Sequence, residues 1–274
     1  MVERLTLNDG GVIPQLGLGV WQVPAADVSA VVGHALAAGY RHIDTAAAYG
    51  NEEGVGEALR GSALAREDVF LTTKVWNGDH GRDRALAACR KSLQRLDVEW
   101  VDLLLIHWPV PSAGKYVDAW EGLIAARDAG LARSIGVSNF NPDHLERIID
   151  STGVVPAVNQ IELHPGFMQP SLRAFHAQHG IVTEAWSPLG QGQVLRDPAV
   201  LETAGAVGRT PAQVVIRWHL QLGNIVIPKS VTPSRIEENF DVDGFSLSHE
   251  QMEALASLTG SRIGPDPATF SFGA

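Results

Sequence analysis

Eight short apolar segments alternate with eight longer amphipathic segments along this chain, and this alternation restricts the fold more than any other feature. Strands separated by helices pair in parallel through right-handed crossovers, and eight such units in one series favour closure into a barrel over an open sheet. The strand-like segments cover residues 16–20, 42–44, 69–74, 101–107, 134–138, 157–160, 181–186 and 225–227. The helical segments cover residues 25–38, 52–59, 82–96, 116–129, 142–150, 171–179, 211–222 and 233–240.

Both ends of the chain add to this repeat. Residues 4–7 and 12–14 are short β-prone arms around a turn of Asn, Asp and two Gly, which predicts a hairpin that plugs one end of the barrel. A further helix is expected near residues 249–258, followed by a tail over residues 264–274 that crosses one face of the barrel. Because no linker-like segment divides the chain, we predict an α/β fold, a (β/α)8 TIM barrel with residues 1–274 as a single domain.

The composition argues against several classes of protein. A formal charge of −10, with no run rich in Lys or Arg, is unsuited to a nucleic-acid surface. No segment approaches the ~20 apolar residues of a membrane span, and the N-terminus lacks the apolar stretch of a signal peptide. The single cysteine, Cys89, rules out an internal disulfide and fits a reducing cytosol. We therefore expect a cytoplasmic monomer without a nucleic-acid or membrane partner.

Four ionisable side chains follow three successive strand-like segments near the point where each ends. They are Asp44, Tyr49, Lys74 and His107. Active sites of parallel barrels lie at the carboxyl ends of the strands, and neighbouring strands are about 4.8 Å apart, so these groups can converge. A tyrosine with a lysine, an aspartate and a histidine is suited to proton delivery to a carbonyl oxygen. The lysine charge favours the phenolate, the aspartate keeps the lysine charged, and the imidazole orients the substrate.

Each of these four residues, taken alone, also has a structural interpretation. Asp44 could cap a helix, Tyr49 could pack on the surface, and Lys74 could be solvated. His107 could be an ordinary histidine near a strand end. Their joint occurrence favours function, because a lysine directly after an apolar strand is costly to bury without a partner, and the neighbouring strand offers Asp44.

Aromatic residues and histidines at other strand ends complete the candidate site. Trp21, Trp76 and Trp108 each follow a strand end and predict an apolar wall for a substrate, although any one of them could instead cap the barrel core. His164, two residues after Glu162, is interpreted as structural. No metal is predicted, because the His and carboxylate residues do not follow a metal-ligand spacing.

A phosphate-binding segment is predicted after the last strand. The early Gly17-x-Gly19 pair lacks the third glycine of a dinucleotide fingerprint, and barrels often hold phosphate after strands seven and eight, at a helix N-terminus. The segment consists of Ile227, Lys229, Ser230, Val231 and Arg235. Two cations in so acidic a chain favour a ligand that carries an additional phosphate group. The alternative is that Arg235 pairs with Glu237 or Glu238 on its own helix.

Seven motifs between residues 39 and 240 resemble the aldo-keto reductase superfamily, in family order, and within it most the bacterial 2,5-diketo-D-gluconic acid reductase group. They read GYRHIDTAAAYGNE, LTTKVW, LLLIHWP, GVSNF, NQIELHP, AWSPLG and IPKSVTPSRIEENF. The resemblance implies that Tyr49 is the general acid and that Lys74 and Asp44 tune its pKa. It also implies that His107 orients the substrate carbonyl, and that the nicotinamide coenzyme binds without a Rossmann domain.

The same resemblance implies a set of coenzyme contacts. From the nicotinamide to the adenine end they are Ser138, Asn139 and Gln160 on the carboxamide, Trp186 stacked on the ring, Ser187, Leu189 and Gly190 along the pyrophosphate, and Glu238 and Asn239 at the adenine. Many relatives carry tyrosine at the stacking position, and a tryptophan offers an equally flat face.

These observations predict an NADPH-dependent reductase of small aldehydes, ketones or dicarbonyls, keto sugars among them. Two alternatives stay open. One is a catalytically idle, nucleotide-binding regulatory subunit on the same fold, and the other is a metal-dependent barrel hydrolase. A turnover assay separates the first from a reductase, and metal analysis with chelator sensitivity separates the second.

Overall fold

Eight parallel strands close into a barrel in chain order. The computed structural model describes residues 3–273. The strands of the N-terminal hairpin are β1 (Arg4–Thr6) and β2 (Val12–Pro14). The barrel strands are β3 (Leu18–Gly19), β4 (His42–Asp44), β5 (Phe70–Val75), β6 (Val101–Ile106), β7 (Ala132–Ser138), β8 (Val158–Glu162), β9 (Val182–Trp186) and β10 (Ile225–Val226). Strands β3 to β10 pair in sequence order, all in parallel. The ring closes at a parallel bridge between Leu16 and Val226, where Gly17 N lies 2.9 Å from Val226 O. The predicted barrel is therefore confirmed.

Helices connect the strands and surround the barrel. They are α1 (Val28–Ala38), α2 (Glu52–Gly61), α3 (Arg82–Leu96), α4 (Tyr116–Asp128), α5 (Pro142–Thr152), α6 (Pro170–His179), α7 (Pro198–Val207), α8 (Pro211–Gln221), α9 (Pro233–Phe240) and α10 (His249–Ala256). The boundaries of the expected elements differ from the structure by three residues or fewer, as is usual where helices fray. Among residues 3–273, none of the helices has both the length and the apolar composition that crossing a lipid bilayer requires.

The sequence pattern does not predict α7, which lies between β9 and α8. Only Val200, Thr203 and Ala204 of this helix are buried, so its apolar stripe is too narrow to stand out. Its start does carry a local signal, since Asp197 accepts a hydrogen bond from the backbone N–H of Ala199 at 2.9 Å and Pro198 follows directly. The segment before α8 therefore contains one more helix than expected.

The N-terminal hairpin closes the barrel at the amino ends of its strands. Strands β1 and β2 pair antiparallel, from Arg4 with Pro14 to Thr6 with Val12. Side chains of the hairpin pack on the first residues of barrel strands, forming a cluster that includes Leu7, Ile13, Phe70, Leu103, Val158 and Ile225. The hairpin therefore seals the end opposite to the one where the candidate residues lie.

The C-terminal tail crosses the carboxyl-end face, a choice that the sequence leaves open. Backbone N–H groups of Ile263 and Gly264 donate to the side chain of Glu162 at the end of β8, at 2.6 and 2.8 Å. Further along, the rings of Phe270 and Trp108 lie 4.3 Å apart between centroids. The tail therefore borders the open mouth of the barrel.

Candidate active site

A buried ion pair joins the ends of two neighbouring strands. Lys74 on β5 and Asp44 on β4 are almost completely buried, and Lys74 Nζ lies 2.6 Å from Asp44 Oδ1. The same nitrogen donates to Thr45 O at 2.9 Å. Burial is the largest single effect and would lower the pKa of Lys74, but the charges of Asp44, Tyr49 and Glu184 and the hydrogen bond to Asp44 together outweigh it, so the pKa is raised above its ordinary value. The lysine is therefore cationic at neutral pH.

Tyr49 places its hydroxyl against this cation. The residue ends a short 3-10 turn, Ala47–Tyr49, and Lys74 Nζ lies 3.4 Å from the Tyr49 hydroxyl oxygen. Burial raises the pKa of Tyr49 to about 12, while the charge of Lys74 acts in the opposite direction and offsets part of that rise. The phenol is therefore protonated at neutral pH, which is the state that a proton donor requires.

His107 lies on the other side of the tyrosine. It follows β6 directly, and its ring centroid is 5.6 Å from that of Tyr49 and 5.1 Å from that of Trp76. Burial and the charge of Lys74 lower the pKa of His107 well below its ordinary value, so the imidazole is neutral. Its Nδ1 forms no hydrogen bond within residues 3–273. A neutral imidazole of this kind can still donate one hydrogen bond to a substrate oxygen.

These side chains border a cavity of about 790 Å³ at the carboxyl ends of the strands. Lys74 is completely buried and does not line this cavity, but it contacts Tyr49, which does. The residues of the predicted site that line the cavity are Asp44, Tyr49, His107, Ser138, Asn139, Gln160, Trp186, Ser187, Ile227, Lys229, Trp21, Trp76 and Trp108. Those that lie outside this lining are Leu189, Gly190, Ser230, Val231, Arg235, Glu238 and Asn239. The structure thus brings the catalytic and nicotinamide candidates together and leaves the adenine-end candidates apart from them.

A network of hydrogen bonds holds the candidate nicotinamide contacts in place. Asn139 has a left-handed backbone with φ 63°, which asparagine tolerates better than most residues. Its Oδ1 accepts from Trp186 Nε1 at 2.8 Å, and its Nδ2 donates to Ser138 Oγ at 3.0 Å. Ser138 Oγ in turn donates to Gln160 O at 2.8 Å. The indole of Trp186 is therefore held in one orientation as part of the cavity wall.

Gln160 connects the ion pair to a second buried carboxyl group, on Glu184 of β9. Gln160 Nε2 donates to Asp44 Oδ2 at 2.8 Å and to Glu184 Oε2 at 2.9 Å. Both amide hydrogens of the side chain are thereby used, so Oε1 is the side-chain atom of Gln160 that remains for a ligand in the cavity that this residue lines. Glu184 is completely buried, and burial together with the charge of Asp44 raises its pKa to about 8. Glu184 was not predicted as a site residue, because it lies inside a strand and its neighbours in the sequence do not show that it faces Gln160 and Asp44.

The raised pKa of Glu184 predicts a specific pH dependence of stability. The folded protein keeps the Glu184 proton up to about pH 8, whereas the unfolded chain releases it near the ordinary value of about 4.3. The native state then binds more protons, so this group's contribution to stability falls as pH rises through that window. As the pH rises from about 5 to about 8, we expect the melting temperature of Glu184→Gln to fall less than that of the wild type. An equal fall in melting temperature with pH in the two proteins would contradict this assignment.

Two exposed cations stand near the last strand. Lys229 and Arg235 are both exposed, and neither forms an ion pair with any residue in the range 3–273. The glutamates that were alternative partners of Arg235 are engaged elsewhere. Glu237 lies 3.0 Å from His34 Nε2, and Glu238 accepts from Thr210 Oγ1 at 2.9 Å. Both cations are thus available to an anionic ligand.

Several residues that line the cavity are not identified by the sequence analysis as site residues. They are Gly19, Ala48, Pro188, Gln191, Ile263, Gly264, Pro265, Phe270 and Phe272. Five of these belong to the tail, whose only sequence signal is a pair of aromatic residues in an otherwise small and polar segment. Their position depends on contacts with strand ends more than 100 residues earlier in the chain.

His164 and possible metal ligands are considered last. His164 Nε2 lies 3.2 Å from Glu162 Oε1 and its Nδ1 lies 3.0 Å from Pro165 O, away from the four catalytic candidates. Over the part of the chain that the structure describes, no group of three or more His, Cys, Asp or Glu side chains is arranged to hold a metal ion.

Known proteins show the relationship that this geometry indicates. The sequence profile of the Aldo/keto reductase family matches residues 15–259. An aldo-keto reductase of Mycolicibacterium smegmatis is 60% identical over 273 residues, which are 99% of this chain and 99% of that protein. The methylglyoxal reductase DkgA of Escherichia coli is 53% identical over 269 residues, 97% of each chain.

Solved structures agree at the level of the whole fold. The apo form of Gox0644 has a TM-score of 0.96 and 50% identity, covering 99% of this chain and 100% of that one. A mutant of Gox0644 has been solved in complex with NADPH, with the same TM-score and coverage. The expectation drawn from the motifs is confirmed, including the resemblance to the bacterial 2,5-diketo-D-gluconic acid reductase group, of which DkgA is a member. The chain belongs to the aldo/keto reductase family.

Proposed function

We propose that this protein reduces small aldehydes, ketones and dicarbonyl compounds, keto sugars among them, to alcohols with NADPH. One observation carries the proposal, namely that the buried Lys74–Asp44 ion pair contacts the hydroxyl of Tyr49 at the floor of a cavity. A buried ion pair is costly in desolvation and is poor evidence for stability alone. The similarity to a methylglyoxal reductase and to a protein solved with NADPH supports the substrate class and the coenzyme.

The side chains present fit NADPH. The exposed Lys229 and Arg235 are free to bind phosphate, and Trp186 offers a flat ring whose orientation is held by Asn139. Gln160 lines the cavity, and its side-chain oxygen is the proposed acceptor for the carboxamide, since its amide nitrogen is bound to Asp44 and Glu184. When bound, NADPH supplies the hydride that reduces the carbonyl carbon.

The protein's own groups then handle the proton. Tyr49 donates its hydroxyl proton to the carbonyl oxygen as negative charge develops there. Lys74 stabilises the phenolate that remains, and Asp44 holds the ammonium group in place at 2.6 Å. Neutral His107 donates a hydrogen bond to the same substrate oxygen and orients it. The tryptophans Trp21, Trp76 and Trp108 form an apolar wall that excludes water.

The direct test is the consumption of NADPH with methylglyoxal, simple aldehydes and keto sugars, at pH values on both sides of neutrality. We expect turnover with at least the dicarbonyl compounds. NADPH binding without turnover of any carbonyl would support an idle nucleotide-binding subunit instead. Hydrolytic activity that a chelator abolishes would support the metal-dependent hydrolase.

Arg235→Ala is expected to weaken NADPH binding selectively. Loss of a charge-assisted contact to the 2′-phosphate should raise the Kd for NADPH about 10- to 100-fold, while the Kd for NADH stays within about twofold. Quenching of tryptophan fluorescence measures both constants. Arg90→Ala removes an exposed arginine from α3 and serves as the matched control. Equal losses for the two coenzymes would contradict the assignment of Arg235 to the 2′-phosphate.

We further propose that residues 1–274 act as one domain, as a monomer in the cytoplasm. The cavity is lined from Gly19 to Phe272 within one closed barrel, which supports a site complete in a single chain. The single cysteine, Cys89, is buried and fits a reducing compartment. Light scattering after size-exclusion chromatography gives the mass in solution, and a mass other than about 29.3 kDa would contradict the monomer.

A further inference from the structure

Glu162, the last residue of β8, is a buried carboxylate that binds the backbone of a distant segment. It is 1% exposed, and it accepts hydrogen bonds from Ile263 N at 2.6 Å and from Gly264 N at 2.8 Å. His164 Nε2 lies 3.2 Å from the same side chain. Burial alone would raise the pKa of Glu162, but the hydrogen bonds from His164 and from the two backbone amides outweigh it and leave the pKa lowered. The side chain is therefore an anion at neutral pH with all its partners supplied by the protein.

The segment that Glu162 binds is part of the cavity wall. The residues of the tail that line the cavity are Ile263, Gly264, Pro265, Phe270 and Phe272. Upstream, the tail is tied to the loop after β8 by a parallel bridge between Gly166 and Thr259. The hydrogen bonds to Glu162 then hold residues 263 and 264 at the rim of the barrel.

Gly264 shows how closely the tail approaches this site. A Cβ atom at this position would overlap Cη2 of Trp186 and would lie 3.0 Å from Glu162 Oε2. Only glycine therefore permits the backbone to lie simultaneously against the indole and the carboxylate. Trp186 is itself held by Asn139, so the tail packs against a fixed surface.

We propose that Glu162 is a positioning residue that fixes residues 263–265, at the start of the tail, in the wall of the cavity and thereby sets the affinity for small carbonyl substrates. This inference rests on the proposed reductase function for its kinetic part and on geometry alone for its structural part. Glu162 does not line the cavity and does not touch the reacting atoms, so its effect on the substrate passes through residues 263 and 264. Loss of the anchor leaves Tyr49, Lys74 and His107 in place and loosens residues 263–265 of the wall. The end of the tail stays held by the hydrogen bond from Asn77 Nδ2 to Phe272 O at 2.8 Å and by the contact of Phe270 with Trp108.

The kinetic experiment compares four variants with the wild type. Glu162→Ala removes the carboxylate that accepts the two hydrogen bonds, and Gly264→Ala prevents the backbone from approaching it. Glu162→Gln keeps the shape of the side chain but turns an amide donor toward one backbone N–H. Asp266→Asn is the control, because Asp266 accepts from Ala268 N at 3.0 Å within the tail and does not tie it to the barrel. We expect the KM for methylglyoxal to rise about tenfold or more in the first two variants and less in Glu162→Gln. We expect kcat and the Kd for NADPH to stay within about threefold of the wild type in Glu162→Ala, Glu162→Gln and Asp266→Asn. Gly264→Ala also displaces Trp186, so only its KM and its hydrogen exchange bear on the anchor.

A second measurement reads the anchor without activity. Hydrogen exchange of the amides of residues 263 and 264 should be about tenfold faster or more in Glu162→Ala than in the wild type and unchanged in Asp266→Asn. Unchanged exchange and unchanged KM in both Glu162→Ala and Gly264→Ala would overturn the proposal. So would a fall in kcat equal to the rise in KM, or a loss of exchange protection spread over the barrel strands, since either marks a general structural defect. If the wild type turns over no carbonyl at all, the proposed function fails while the exchange data still decide the anchor.

Discussion

Tyr49→Phe is expected to lower kcat for carbonyl reduction about a thousandfold while the Kd for NADPH changes by less than about twofold. The substitution removes one hydroxyl oxygen, the atom that lies 3.4 Å from Lys74 Nζ and from which the proton is proposed to leave. The ring remains to pack against His107, so the shape of the cavity is kept. Steady-state kinetics with methylglyoxal and fluorescence titration with NADPH measure the two quantities.

A matched control separates the missing proton donor from the loss of a buried hydroxyl. Tyr40 is also buried, and its hydroxyl donates to Ile236 O at 3.3 Å, far from the cavity lining. Tyr40→Phe should cost about 1 kcal/mol of stability and leave kcat unchanged. Turnover by Tyr49→Phe at near wild-type rates would remove Tyr49 from its proposed role.

Lys74→Met is expected to damage both stability and activity. The substitution leaves the carboxylate of Asp44 buried without its cation, which typically costs about 3–5 kcal/mol of unfolding free energy. It also removes the charge and the hydrogen bond of Lys74, which both lower the pKa of Tyr49. The phenolate therefore becomes harder to form. We expect kcat to fall about a thousandfold. Urea unfolding and steady-state kinetics measure the two effects.

The double variant Asp44→Asn/Lys74→Met distinguishes the two effects. Without a buried charge, most of the lost stability should return, because an uncharged pair carries no large desolvation penalty. Activity should stay low, since no cation then faces the phenol. Lys91→Met, at an exposed position of α3, is the control for removal of a lysine as such. Recovery of turnover in the double variant would show that Lys74 serves only to neutralise Asp44.

Much of the architecture was predictable because its signals are local. The apolar segment before Lys74 and the one before His107 end within a residue or two of the strands β5 and β6, and the eight strand–helix units imply parallel pairing. The candidate catalytic residues share one end of the barrel for the same reason, since parallel strands all point the same way. Family motifs then imply a role for each of these residues.

The features that escaped prediction depend on contacts between distant segments. Glu184 is invisible in the sequence because nothing near it shows that Gln160 and Asp44 converge on the same interior point. The helix α7 buries too few side chains to have a clear periodicity.

By itself the sequence determined the order of the elements, the barrel class and the end at which the chemical groups gather, because hydrophobic periodicity acts over a few residues. Only the tertiary structure decided which face the tail covers, which carboxylate holds it and how Lys74 and Asp44 balance each other's charge. The physical reason is that desolvation and long-range hydrogen bonds depend on which groups packing brings together, and a linear pattern does not contain those distances.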